Sequence, residues 1–268
     1  MLSPPLTAAS TIGWILAIAA AVAYAMPALA TQRLQQKGAH RCLLLAWALH
    51  GLTLGWGLLG GQPRFGFAPA LSITAWLVLT VYVVERQLYP QLQSRWPLSL
   101  LGSLAVLLAV AIPGTPLHVD ASPWLPLHLA LGIASYGLFA AAVVHAALMN
   151  HAEKQMRRGA DHDGGLPLLT LERLTFRFVS AGFAVLTATL AAGWFFGEQI
   201  YGKAWVWNHK SVFSLLSWLT FAVLLIGRKR FGWRGQSAVR VLYIGAILLL
   251  LAYVGSRFVL EVLLGRSA

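Results

Sequence analysis

The run WLPLHLALGIASYGLFAAAVVHAALM, residues 124–149, decides the fold. It holds no Asp, Glu, Lys or Arg over twenty-six residues. At ~1.5 Å per residue, a helix of that length reaches ~39 Å, more than the ~30 Å hydrocarbon core of a bilayer. Similar runs lie on both sides of it, bounded by charged or Pro/Gly-rich joins. Together they predict eight spans, near Thr11–Ala30, Cys42–Leu59, Phe67–Val84, Pro97–Ile112, Trp124–Met149, Phe178–Phe196, Ser211–Ile226 and Val239–Leu260. The composition agrees, with 58% hydrophobic and 10% charged residues and a mean hydropathy of +0.70. The expected fold is an all-α, polytopic membrane helix bundle forming a single integral-membrane domain over residues 1–268, with no internal repeat and no separate soluble domain.

Basic residues give the orientation. The joins after spans 1, 3, 5 and 7 carry fifteen Lys and Arg, from Arg33, Lys37 and Arg41 to Arg228, Lys229, Arg230, Arg234 and Arg240, against five on the other side (Arg64, Lys203, Lys210, Arg257 and Arg266). Cytoplasmic loops collect Lys and Arg, so both termini are expected outside the cytoplasm. A net charge of +12 would suggest nucleic acid in a soluble protein. Here it faces anionic membrane lipid, and no nucleic-acid partner is expected. Span 1 lacks a basic n-region and an Ala-x-Ala-like cleavage site, so it reads as retained rather than as a signal peptide. Cys42 is the single cysteine, which excludes disulfides, Cys-x-x-Cys redox chemistry and Cys-x-x-Cys-His haem attachment within the chain.

The polar segment from His151 to Arg177 contains Asp161-His162-Asp163-Gly164-Gly165 and reads as a solvated cytoplasmic turn rather than a metal site. Polar groups inside or at the rim of the spans are the candidates for chemistry, because hydrocarbon penalises them. His50 falls near mid-membrane on span 2, either as a packed neutral imidazole or as a ligand or proton relay. His128 lies one turn into span 5 on the outward side, and His118 and His209 share that side. His145, seventeen residues beyond His128, is ~25 Å away along the helix, too far for one haem to join both.

Between Phe196 and Ser211 the chain reads Gly-Glu-Gln-Ile-Tyr-Gly-Lys-Ala-Trp205-Val-Trp207-Asn208-His209-Lys210. Trp and Tyr scattered at headgroup depth serve as lipid anchors. Two tryptophans two residues apart, followed at once by Asn, His and Lys, suggest a flat shelf for a large planar ligand, with His128 able to ligate haem iron.

The segment Gly202-Lys-Ala-Trp205-Val-Trp207-Asn208-His-Lys210 resembles the tryptophan-rich motif of the CcsA/ResC-type cytochrome c assembly proteins, roughly Trp-Gly-x-x-Trp-x-Trp-Asp-Pro-Lys-Glu, without a gap from Gly202 through Lys210. The run Trp124–Tyr136 matches as well, with His128 at the family's outward histidine position. So do Leu171-Glu-Arg-Leu-Thr-Phe-Arg177 and Gly232-Trp-Arg-Gly235, and the likeness covers about residues 70–260. In this chain Asn208 stands for the motif's acid, His209 for its proline, Ser211 for its glutamate and Tyr201 for its first tryptophan. Gly227 or Arg228 replaces a family histidine at the cytoplasmic end of that span. The outward histidine of the last span is missing, with Arg257 and Glu261 nearby. The chain is more similar to the short stand-alone YpjD and HemX type of inner-membrane protein, to which His50 and Tyr253-Val-Gly-Ser-Arg257 also point.

The resemblance implies a haem-handling protein of the inner (plasma) membrane: Trp205 and Trp207 stacking on the macrocycle, His128 on iron, Asn208, His209 and His50 as further candidates, and Lys210 or Arg257 neutralising propionates. A cofactor-free fold acting as an assembly or regulatory partner of another membrane or haem-pathway protein, such as a tetrapyrrole-synthesis enzyme, remains the alternative. A proton-linked transporter has less support, since no acid lies deep in a span. No nucleophile with a matched base and no phosphate-cradling loop is visible, so no enzyme activity is expected. A reporter active only outside the cytoplasm should be on when fused after Gly197 or at Ala268 and off after Arg158 or Arg234; the reverse pattern would discard the outward shelf.

Overall fold

The computed structural model describes residues 8–29, 36–59, 63–88, 96–116, 124–158, 166–201 and 207–264. Its helices are α1 (Ala8–Leu29), α2 (Gln36–Leu59), α3 (Phe67–Leu88), α4 (Trp96–Ala111), α5 (Trp124–Arg157), α6 (Leu168–Phe195), the short α7 (Gly197–Tyr201), α8 (His209–Phe231) and α9 (Gly235–Leu250). The last helix continues through two wider π turns, Leu251–Gly255 and Val259–Leu263, with α10 (Ser256–Phe258) between them. Strands β1 (Arg64–Phe65) and β2 (Thr115–Pro116) pair antiparallel and tie the α2–α3 join to the end of α4.

Six helical segments are long and apolar enough to cross a membrane: Lys37–Leu59, Phe67–Leu88, Trp124–Arg157, Leu168–Phe195, His209–Phe231 and Gly235–Leu263. The apolar helices Thr11–Pro27 and Pro97–Ala111 are shorter. Helix α8 shows why the bundle belongs in a bilayer. Its exposed positions include Leu216, Leu219, Val223 and Ile226, while Ser217, Phe221, Leu224 and Gly227 face inward. A large apolar outer face with a hydroxyl on the inside is the pattern for hydrocarbon as solvent.

Several helices outrun the expected spans. Helix α6 starts at Leu168 rather than Phe178, and α5 ends at Arg157 rather than Met149. A charge ends an apolar run but not a helix, because Arg, Lys and Glu are good helix formers. The segment Leu171–Arg177 is therefore helical, with Leu171 and Thr175 buried. The same extension places Glu85 inside α3 and Glu261 inside the last helix.

The chain divides into two compact units, α1–α4 and α5 onward. In the N-terminal unit, α1 packs on α2 and α4 and α3 packs on α4. Ala17, Ala20 and Ala21 form a small-residue stripe against Val106, so the backbones approach closely enough for Ser103 Oγ to donate to the Ala21 carbonyl at 3.1 Å. Trp47 and Trp76 stack with ring centroids 5.5 Å apart. Each indole N–H is satisfied, Trp47 by Thr80 Oγ1 at 2.8 Å and Trp76 by the Trp47 carbonyl at 3.0 Å.

In the C-terminal unit, α5 packs along α6 and α8 along α9, with α5 also against α9 and α6 against α8. Phe139 of α5 stacks on Phe221 of α8, with centroids 3.7 Å apart and planes within 7°. Glycines flank the pair: a Cβ on Gly182 of α6 would meet Phe139 at 3.1 Å, and one on Gly245 of α9 would meet Phe221 at 2.7 Å. Ser217 Oγ adds a hydrogen bond to the Gly245 carbonyl at 2.9 Å.

Gly245→Ala should therefore destabilise the purified protein in detergent by about 1–3 kcal/mol through overpacking, read as a lower thermal midpoint. Gly132→Ala, whose Cβ would meet nothing closer than 3.9 Å, should be neutral or slightly stabilising, by up to ~1 kcal/mol from reduced chain entropy. Equal behaviour of the two variants would contradict the role given to the stack.

Candidate functional site

At one end of the C-terminal unit the starts of α5 and α8 meet the ends of α6 and of the last helix. Trp124, the first residue of α5, stacks on Phe196 just after α6, with centroids 4.5 Å apart and planes 8° from parallel. Helix α7 then packs on both α5 and α6. Trp194, Phe195 and Trp207 stay exposed at 59%, 75% and 65%, at the helix ends where membrane proteins collect aromatic side chains. Trp205 and His118 lie outside the described residues.

Asn208 is the N-cap of α8. Its Oδ1 accepts from Ser211 N at 3.0 Å, and its backbone N–H donates to Ser211 Oγ at 2.9 Å, a reciprocal capping box. The Asp and Glu of the tryptophan-rich motif are likewise three residues apart. In this chain Asn208 and Ser211 stand at those two positions and cap the helix with uncharged groups. Cap and helix together present His209, exposed, and Lys210, half-buried, at the first turn of α8.

The last helix reaches the same end. Tyr136 of α5 donates its hydroxyl to the Leu249 carbonyl, which fixes the register of the two antiparallel helices. His128 lies eight residues before Tyr136 and Arg257 eight residues after Leu249. The α5 stretch climbs ~12 Å at the α-helical rise and the other, part of it wound as a π turn, somewhat less, so half-buried His128 and Arg257 both lie toward the same end. Arg257 Nη1 is 3.5 Å from Glu261 Oε1, with the two side chains only 16% and 8% exposed. The Arg257 guanidinium sits 5.8 Å from the Tyr253 ring centroid, and Lys210 is close enough to feel the charges of both Arg257 and Glu261. Thus His128, Trp207, Asn208, His209, Lys210 and Arg257 all belong to one end of one unit. Glu261 joins them, a residue that sequence reasoning noted only as a neighbour; the signal was its spacing of four from Arg257 and eight from Tyr253, which places all three on one helix face.

His50 sits elsewhere, in the N-terminal unit. It is fully buried and engages both ring nitrogens: Nδ1 with Tyr24 Oη at 3.3 Å and Nε2 with Ser72 Oγ at 2.8 Å. This is the geometry of an imidazole that joins α1, α2 and α3. His145 is buried in the C-terminal unit, donating Nδ1–H to the Ala141 carbonyl at 2.7 Å and packing on Phe178 at 5.1 Å between centroids. Among the described residues no group of three or more His, Cys, Asp or Glu could hold a metal ion on its own.

The opposite end of the unit is basic and locked. Arg228 Nη1 donates to Glu172 Oε1 at 2.6 Å, and its guanidinium lies 3.6 Å from the Phe176 ring centroid. Trp233 folds back over Gly227, where a Cβ would meet its ring at 2.5 Å. The resemblance expects a histidine at or beside Gly227. Here an indole occupies the space that its side chain would need.

The family described as "Cytochrome C assembly protein" matches residues 37–264. The chain is 31% identical to the "Inner membrane protein YpjD" of Escherichia coli (strain K12) over 54% of its own length. That match spans 56% of the relative, little more than half its length. It is 31% identical to an uncharacterized 28.8 kDa protein of Azospirillum brasilense over 82% of both chains. It is 25% identical to the "Cytochrome c biogenesis protein CcsA" of Chlamydomonas reinhardtii, over 78% of this chain and 62% of that one. No solved structure matches the chain significantly. With a family match over most of its length and apolar helices fit to span a bilayer, the chain belongs to the cytochrome c assembly protein family and is a multi-pass protein of the inner membrane.

Proposed function

We propose that this protein binds haem at the tryptophan end of its C-terminal unit, as a haem-handling component related to cytochrome c biogenesis. The observation that carries the reading is the convergence there of an imidazole on α5, exposed indoles, and two cations beside a nearly buried carboxylate. Those groups suit the three chemical faces of haem. Neutral imidazole ligates iron, indole planes stack on the macrocycle, and Arg or Lys balances propionates. In this reading His128 is the iron ligand, Trp205 and Trp207 the stacking pair, and Lys210 and Arg257 the cations, with His209 beside them and Asn208 holding the start of α8. Bound haem supplies iron chemistry, while the chain supplies position, exclusion of water and charge balance, without catalysis of its own.

The whole chain then acts as one integral-membrane domain of eight spans, α1 and α4 included, with both termini and the tryptophan end outside the cytoplasm. His50 is a packing residue, since iron ligation would require it to give up Tyr24 or Ser72. The second reading is a cofactor-free assembly or regulatory partner, for example of a tetrapyrrole-synthesis enzyme. It draws on the Trp233 indole seated over Gly227, where the resemblance expects a haem-handling histidine.

His128→Ala should shift or abolish the haem absorption spectrum of the detergent-purified protein, and added imidazole should partly restore it. His50→Ala should lower the thermal midpoint with the spectrum kept. Replacing Trp205 and Trp207 together with Leu should lower haem retention without affecting membrane insertion. A spectrum lost in His50→Ala and kept in His128→Ala would place the site in the N-terminal unit and contradict the proposal.

A further inference from the structure

Arg257 and Glu261 form an ion pair that is buried but not closed. At 3.5 Å the pair is in Coulombic range, yet Arg257 Nε and Nη1 and both Glu261 carboxylate oxygens lack a hydrogen-bond partner among the described residues. Buried charges that serve only the fold are normally saturated with hydrogen bonds, because each unmet donor or acceptor carries its full desolvation cost. The Arg257 donors left open at 16% exposure are the mark of a site completed by a further acceptor, with Glu261, at 8% exposure, as the counter-ion held at 3.5 Å. The helix that carries them is wound as π turns on both sides of Arg257, a geometry concentrated at functional positions.

The sum of charges specifies the ligand. Arg257 and Lys210 are cationic and Glu261 anionic, so the cluster is one negative charge short of neutrality. The first turn of α8, where Lys210 sits, adds the partial positive charge of a helix start. A neutral ligand could accept from Arg257 but would leave the surplus positive charge unbalanced, and a second negative charge would leave an unbalanced anion in a poorly solvated place.

We propose that Arg257 and Lys210, with Glu261 as their fixed counter-ion, form a receptor for one carboxylate of the tetrapyrrole, and that Glu261 sets the number of ligand carboxylates accepted at one. The inference rests on the haem reading above and adds to it which residue counts the charges. Glu261 is a specificity-determining residue in this account: it holds Arg257 within the cluster and excludes a second anion.

The test uses the full chain in detergent, titrated with haemin, haemin monomethyl ester and haemin dimethyl ester, with affinity read from the Soret band. Wild type should bind haemin and the monomethyl ester alike, within about twofold, and the dimethyl ester roughly tenfold or more weakly, the loss expected for removing a charge-assisted hydrogen bond. Arg257→Gln should bind all three as wild type binds the dimethyl ester. Glu261→Gln should come to prefer haemin over the monomethyl ester, because a second carboxylate then finds balance. Equal affinity of wild type for haemin and the dimethyl ester overturns the receptor while leaving the haem reading intact, and so does an Arg257→Gln protein that keeps the wild-type preference. A wild type that takes up none of the three overturns the haem reading and this inference with it. The ester comparison uses the unaltered chain, so it stands even if a variant does not fold.

Discussion

Phe139 and Phe221 lie face to face between Gly182 and Gly245, so one residue from each of α5, α6, α8 and α9 meets at a single crossing. Lipid tails are as apolar as leucine, and a membrane bundle gains little from burying greasy side chains in each other. Close packing and internal hydrogen bonds must hold it together instead. The ring pair supplies contact area, the two glycines let the backbones come near enough to use it, and Ser217 donates to the backbone of Gly245 itself. With the four helices fixed there, the ends of α5, α6, α8 and the last helix are carried to common heights on either side.

Those two ends have opposite characters. One is closed by Arg228, Glu172 and Phe176, with Trp233 packed over Gly227. The other presents exposed Trp194, Phe195 and Trp207, and carries an ion pair whose hydrogen-bonding capacity is unmet. Polar groups deeper in the helices are satisfied locally. Thr175, Thr189 and Thr220 bond back to carbonyls four residues earlier, and His50 is held between Tyr24 and Ser72. Open polar atoms also occur elsewhere, at His40 and Asn150, but among the described residues only the tryptophan end combines them with an ion pair, a cluster that supports assigning ligand binding there.

Much of this was legible in the sequence. The helical class follows from runs such as 124–149, and the grouping of His128, Trp207, His209, Lys210 and Arg257 follows from counting which end of each span they occupy. Helix limits were less readable, because Arg173, Arg177 and Glu153 interrupt apolar runs while remaining good helix formers, so α5 and α6 extend well past their hydrophobic stretches. Two features needed coordinates. The low exposure of the Glu261 side chain, in a helix that continues as π turns past Leu260, is one. The capping role shared by Asn208 and Ser211 shows only in the reciprocal bonds between them. His50 was ambiguous in sequence because a mid-membrane histidine serves a ligand or a packing network equally well, and its two partners come from helices distant in the chain.

The central claim is that one end of the C-terminal unit binds haem. Its most direct test is a stoichiometric titration of the purified wild-type chain with haemin, following the Soret band and tryptophan fluorescence together. The account predicts saturation at one haem per chain, with fluorescence quenched in step because the indoles of that end lie against the ligand. Uptake that never saturates, or a Soret change with no loss of tryptophan emission, would contradict it.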